Sequence, residues 1–115
     1  MTKNISNLAA VVGLAACVAS APVWAAAGAE LKAGRAAFEA NACGNCHQAS
    51  ESTIGPSLKD IARRYAGKPV ATAIAQRIRA GSEGRWGGPP HPAYEGMDEA
   101  DALAMAKWIL GGAPR

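Results

Sequence analysis

The chain has 115 residues, with 12 basic and 9 acidic side chains and a net charge of +3. That length holds one small domain, and the modest charge, with no Lys/Arg run interleaved with aromatics, excludes a case for nucleic-acid binding. One Phe, two Tyr and three Trp are a thin reserve for a self-sufficient hydrophobic core.

The first segment reads as an export signal rather than as part of that domain. Lys3 supplies a positive start, Leu8 to Ala19 is apolar and uncharged, and Pro22 precedes small residues suited to an A-x-A-type cleavage site in Val23-Trp24-Ala25. The apolar run is too short to span a bilayer comfortably. Residues 1–25 are therefore expected to be a cleaved signal peptide and residues 26–115 the mature domain, in the periplasm. Without Lys3 that domain keeps 11 basic against 9 acidic side chains, a net +2. Leu14-Ala15-Ala16-Cys17 also resembles a bacterial lipoprotein signal. Cys17 is read instead as a small apolar residue of the leader, because the Pro22 to Ala25 segment is a good cleavage site in its own right. The alternative is a lipid-anchored protein facing the periplasm, and membrane contact is expected only in that case.

Ala29 to Asn41 predicts a helix, with Leu31, Gly34 and Phe38 on one face. A glycine inside a helix costs about 1 kcal/mol relative to alanine, so Gly34 suggests that another backbone approaches closely; the bland alternative is a tolerated glycine on a solvent face.

The stretch Cys43-Gly44-Asn45-Cys46-His47 carries the chemistry. C-x-x-C-H is the attachment signal for c-type haem: two thiols about one helical turn apart can add to the two vinyl groups along one porphyrin edge, and the following His can bind iron as the proximal ligand. Other readings are weaker. A thioredoxin-like pair needs a βαβ context, a zinc site from Cys43, Cys46, His47 and His91 would have an unusual adjacent Cys-His spacing, and a disulfide closing so short a loop would stabilise little.

Gln48 to Thr53 reads as a polar loop and Ile54-Gly55-Pro56 as a turn. A metal-bound His normally donates its second ring N–H to a carbonyl or carboxylate, and the Pro56 carbonyl is a candidate acceptor. Ser57 can cap a helix running to about Tyr65, with Leu58, Ile61, Ala62 and Tyr65 on one face. Gly67 ends it, Pro69 introduces a second helix from Val70 to about Ala80, and Gly81 terminates that one. Residues 82–96 hold too many Gly and Pro for a helix and make a poor strand. His91 lies there between Pro90 and Pro92, with few backbone states to lose on being fixed. Asp98 resembles an N-cap, with Asp101 close to the capping-box position and Met97 at the staple position of a last helix. Leu103, Met105, Ala106, Trp108, Ile109 and Leu110 give that helix its apolar surface, and Gly111-Gly112 ends it.

Assembled in this order, the mature chain resembles a small bacterial monohaem class I cytochrome c from about Leu31 to Leu110. The resemblance rests on Gly34 and Phe38, the haem motif, Ile54-Gly55-Pro56, Gln76-Arg77-Ile78, Gly81-Ser82-x-Gly84-x-Trp86-Gly87 and Ala106-Lys107-Trp108-Ile109-Leu110. It implies an all-α class I cytochrome c fold of about four to five short helices wrapped around one covalent haem c, with the first and last helices crossing near Gly34 and Trp108. It also implies a Pro56 carbonyl bonded to the His47 ring, and Arg77 and Trp86 reaching a haem propionate; the competing readings of those two are a solvated helix charge and a packing aromatic. One departure matters. Where the family places its distal methionine, this chain has Pro90-His91-Pro92. His91 is therefore expected to be the distal ligand, with Met97 and an open site as the alternatives.

The function expected on these grounds is electron transfer by a non-enzymatic carrier, a monomer that meets redox protein partners. An electron-entry subunit of a larger oxidoreductase, and a haem peroxidase or gas-binding protein with a displaceable distal ligand, are the competing classes. No Ser/His/Asp or paired-carboxylate constellation argues for other catalysis.

Overall fold

The computed structural model describes Gly13 and residues 15–115. The described residues form four helices, α1 (Val23–Ala40), α2 (Leu58–Arg64), α3 (Ala71–Ala80) and α4 (Glu99–Leu110), with one 3-10 turn, Cys43–Asn45, between α1 and α2. Among the described residues no strand forms; two isolated antiparallel bridges, His47 with Ser52 and Ser82 with His91, tie loops together. Residues 1–12 and Leu14, which include half of the predicted leader's apolar run, lie outside the described residues.

Helix α1 starts earlier than the expected Ala29. Pro22 sits at the N-cap with φ −63°, a value proline imposes, and the alanine-rich stretch that follows has high helix propensity. The helix therefore runs through the predicted cleavage point after Ala25. It stops where expected, because the Asn41 side-chain amide donates to the Ala37 carbonyl at 2.8 Å and Ala42 turns left-handed at φ 54°. Its buried face is Gly34, Ala37 and Phe38.

That face meets α4, which packs against every other α-helix. A Cβ built on Gly34 would fall 2.6 Å from the Ala104 carbonyl carbon and 2.8 Å from Trp108 Cβ, so the close approach expected from the sequence is real. The Phe38 and Trp108 rings lie 5.1 Å apart beside this crossing. Lys107 Nζ donates to Glu30 Oε1 at 2.6 Å at its edge. The Trp108 indole N–H donates to the Pro114 carbonyl at 3.0 Å, fastening the C-terminal residues over α4. Helix α4 is capped by Asp98, whose carboxylate accepts from Ala100 N at 2.8 Å; Asp101 therefore does not complete the box that its position suggested.

Ser57 caps α2 as expected, accepting from Asp60 N at 3.0 Å, and is fully buried. The reciprocal half of the cap is relayed: Ser57 N donates to Ser52 Oγ at 3.1 Å, and Ser52 Oγ donates to Asp60 Oδ2 at 3.1 Å. Hydrogen bonds from Ser57 and Ser52 hold the Asp60 carboxyl below the usual carboxylate range. A depressed carboxylate contributes stability that is present above its unfolded pKa and lost as pH falls through its folded pKa. The stability difference between wild type and Ser52→Ala is thus expected at neutral pH and should shrink as pH drops below about 3.9; denaturant melts across that range measure it. A difference unchanged by acid would remove Asp60 from the relay.

Candidate haem site

A cleft of about 450 Å³ opens between the helices and the two long loops. Its apolar floor includes Phe38 from α1, Ile61 from α2, Ile74 and Ile78 from α3, and Met105 and Ile109 from α4. Cys43, Cys46 and His47 line one wall, and Pro89, Pro90, His91 and Pro92 line another. Cys43 opens the 3-10 turn, where Cys46 N and His47 N both donate to the Cys43 carbonyl, at 3.1 and 3.0 Å. This tight fold-back presents both sulfurs and the imidazole to one cavity. Burial pushes the Cys43 thiol up, with Cys46 adding to the effect against an opposing backbone hydrogen bond.

The two histidines are held in the same way. His47 Nδ1 lies 2.7 Å from the Pro56 carbonyl oxygen, and His91 Nδ1 lies 2.8 Å from the Pro92 carbonyl oxygen. A carbonyl only accepts, so each Nδ1 carries the proton, which leaves each Nε2 as a lone-pair donor. Gly55 makes room for the first ring: a Cβ there would stand 2.7 Å from His47 Cε1. The ring centroids lie 6.0 Å apart, with planes 29° from parallel. Burial lowers the His91 pKa, with the Pro92 bond opposing and the nearby His47 adding to the drop, so the ring is disposed to be neutral.

The other expected residues divide. Arg77 and Trp86 both line the cleft. Arg77 takes part in none of the three ion pairs among the described residues. Trp86 is 38% exposed; its ring meets the edge of Tyr65 at 6.4 Å and lies under the Arg64 guanidinium at 4.2 Å. Arg64 also donates to the Arg85 carbonyl at 3.1 Å, so it clasps the glycine-rich loop, a role that helix periodicity does not signal. Met97 is 8% exposed within the core cluster, with its carbonyl bonded to Arg79 Nε at 2.9 Å, and it is not among the cleft-lining residues. Met105 lines the floor but is 1% exposed on α4. Among the described residues no three His, Cys, Asp or Glu side chains cluster to hold a metal ion by themselves, which leaves the zinc reading without a ligand set. Two facing imidazoles, two thiols on one wall and a large apolar floor instead fit a flat, apolar, metal-bearing group that brings its own equatorial ligands.

Residues 31–113 match the family model described as Cytochrome c. The chain belongs to the cytochrome c family. It is a small class I monohaem cytochrome c, and its cofactor is one haem c, covalently attached through two thioethers. It is 46% identical over 91 residues to cytochrome c-552 of Nitrosomonas europaea, an alignment spanning 74% of this chain and 88% of that protein. It is 40% identical over 74 residues to cytochrome c-551 of Pseudomonas aeruginosa, across 64% of this chain and 70% of the relative. The crystal structure of wild-type Nitrosomonas europaea cytochrome c552 overlays with a TM-score of 0.63 at 44% identity, covering 67% of this chain and 96% of that one. A class 1 cytochrome from Sideroxydans lithotrophicus ES-1, 24% identical with a TM-score of 0.57, shares the fold. The all-α cytochrome c fold expected from the sequence is the fold observed.

Proposed function

We propose that this cytochrome c is an exported electron-transfer carrier whose haem iron is held by His47 on one face and His91 on the other. The observation that supports the ligand pair is the matched placement of the two rings: each Nδ1 is occupied by a proline carbonyl, and the centroids stand 6.0 Å apart across the cleft. One metal bonded to both Nε2 atoms at about 2 Å each, the usual metal–imidazole length, spans a separation of that size. Buried Met97 would have to leave the core to compete, and its backbone is tethered by the Arg79 bond to its carbonyl.

Cys43 and Cys46 hold the haem by thioether bonds. When bound, the haem would supply one-electron chemistry at iron, and with His47 and His91 both engaged on it the protein would exchange electrons rather than bind substrate. The apolar floor excludes water and Pro56 and Pro92 fix the imidazole tautomers, while Arg77 and Trp86 are the groups offered to a propionate. Imidazole supports Fe(III) better than a thioether does, so the reduction potential is expected to lie below that of a His/Met relative. Redox proteins are the partners and the protein acts as a monomer. Residues 1–25 direct export to the periplasm and are removed there, with lipidation at Cys17 as the alternative; among the described residues no helix is long and apolar enough to cross a membrane.

The oxidised spectrum of the purified protein tests the ligand pair. Methionine ligation produces a weak red charge-transfer band and a strongly shifted methyl proton resonance, and neither is expected here. His91→Ala should expose the iron to cyanide while Met97→Ala leaves the spectrum unchanged. Both methionine signals in wild type, surviving His91→Ala and abolished by Met97→Ala, would transfer the assignment to Met97. The intact mass of the same sample reads the cleavage bond, any lipid and the haem.

A further inference from the structure

We propose that Gly81 is a positioning residue for the sixth iron ligand, setting the depth at which His91 enters the cleft; this rests on the ligand pair proposed above. Gly81 does more than end α3. Its φ of 77° and ψ of 171° lie outside the left-handed helical region in which helix-terminating glycines usually sit, in an extended mirror region that is essentially restricted to glycine. That backbone sends the chain off α3 straight into register with the His91 segment. Ser82 and His91 then exchange both of their main-chain hydrogen bonds: His91 N donates to Ser82 O at 2.8 Å, and Ser82 N donates to His91 O at 3.2 Å.

A second fastening lies just beyond. Tyr94 N donates to the carbonyls of Ile78 and Arg79, at 3.2 and 3.0 Å, so the end of α3 and the residue after Gly81 hold the segment at the ligand and again three residues on. Pro89, Pro90 and Pro92 stiffen the segment, and the Pro92 carbonyl orients the His91 ring at 2.8 Å. These main-chain bonds at the end of α3 are the ones that fasten the ligand segment itself. Gly81 is the point at which this grip is tightest, since a Cβ there would stand 2.9 Å from the His91 carbonyl oxygen and 3.3 Å from Ala93 N. Both atoms are backbone, so relief requires moving the ligand segment itself. A side chain at position 81 meets backbone strain and a collision together, and both act to shift His91 from its present position opposite His47.

The test uses the haem-loaded, full-length protein. In Gly81→Ala, cyanide binding to the oxidised form should accelerate by about tenfold or more, the shift that strain of this kind gives a two-state equilibrium. The oxidised spectrum should gain a high-spin component that added imidazole removes. Imidazole rescue separates a displaced ligand from a disordered chain. Gly67→Ala is the control: Gly67 also has positive φ, at 71°, but no neighbour within 4 Å, so it should lower stability without changing cyanide kinetics. If Gly81→Ala binds cyanide at the wild-type rate while His91→Ala binds it fast, the positioning role falls and the ligand pair stands. If wild type and His91→Ala behave alike, the ligand pair itself falls. A reading independent of any variant is amide hydrogen exchange in wild type: His91 N–H should be strongly protected, and free exchange there would overturn the bridge on which the proposal is built.

Discussion

Replacing Cys43 and Cys46 together by alanine should leave a chain without stable tertiary structure. The cleft they line measures about 450 Å³ and is walled by a large share of the core, including Phe38, Ile74, Ile78, Met105 and Ile109. A core that cannot hold its haem must collapse that space or leave it exposed. At about 24 cal/mol per Å³ the upper bound of the penalty is about 11 kcal/mol, and water entering the open side reduces it. A domain of this size has about 5–13 kcal/mol of stability in total. The two quantities are of the same order, so the loss is expected to unfold the protein rather than soften it. Far-ultraviolet circular dichroism should show a large loss of helix and no cooperative thermal transition. A helical, cooperatively melting double variant would show that the four helices support one another without the cofactor.

Gly34→Ala should destabilise the protein, against what helix propensity alone predicts. Alanine in place of glycine favours a helix by about 1 kcal/mol. At the α1–α4 crossing the added Cβ collides with the Ala104 carbonyl and with Trp108 Cβ. The first is backbone and the second is attached directly to it, so no flexible side chain can turn aside. The helices must separate, which loosens the Phe38–Trp108 contact. Overpacking of this kind costs typically 1–3 kcal/mol and more where nothing yields, so about 3 kcal/mol net is expected, a fall of roughly 12–24 °C in Tm for a domain of this size. Gly28→Ala on the same helix, with no neighbour within 4 Å, should leave Tm unchanged or raise it. Equal melting temperatures for wild type and Gly34→Ala would mean that the crossing is not as tight as these contacts require.

Much of this molecule is legible in its sequence because the signals are local. A thiol pair three positions apart followed by His names its chemistry by spacing alone. The stops and starts of the helices at Asn41, Ser57, Gly81 and Asp98 depend on capping groups within a few residues of each other. The start of α1 is missed because no capping side chain marks it: Pro22 makes no side-chain cap hydrogen bond, and the signal is a rigid φ before an alanine run. The sequence also suggests the close approach at Gly34, since a helix-breaking residue in a good helical pattern needs a reason.

Other features become visible only in three dimensions. Pro92 reads along the chain as a stiffener, yet its carbonyl holds the His91 ring as Pro56 holds His47. Gly55 and Gly81 read as turn and stop, yet each makes room for one histidine segment. Arg64 reads as one charge of a basic helix end, yet it lies over Trp86 and clasps the loop across the cleft. The sequence by itself determined that the protein is a helical chain built to receive a haem on Cys43 and Cys46. Only the tertiary structure decided how far apart His47 and His91 stand, because that distance depends on where α3 ends, how α4 crosses α1 and how the loop between α3 and α4 returns to Ser82, and no pattern of neighbouring residues encodes a contact between segments that far apart along the chain.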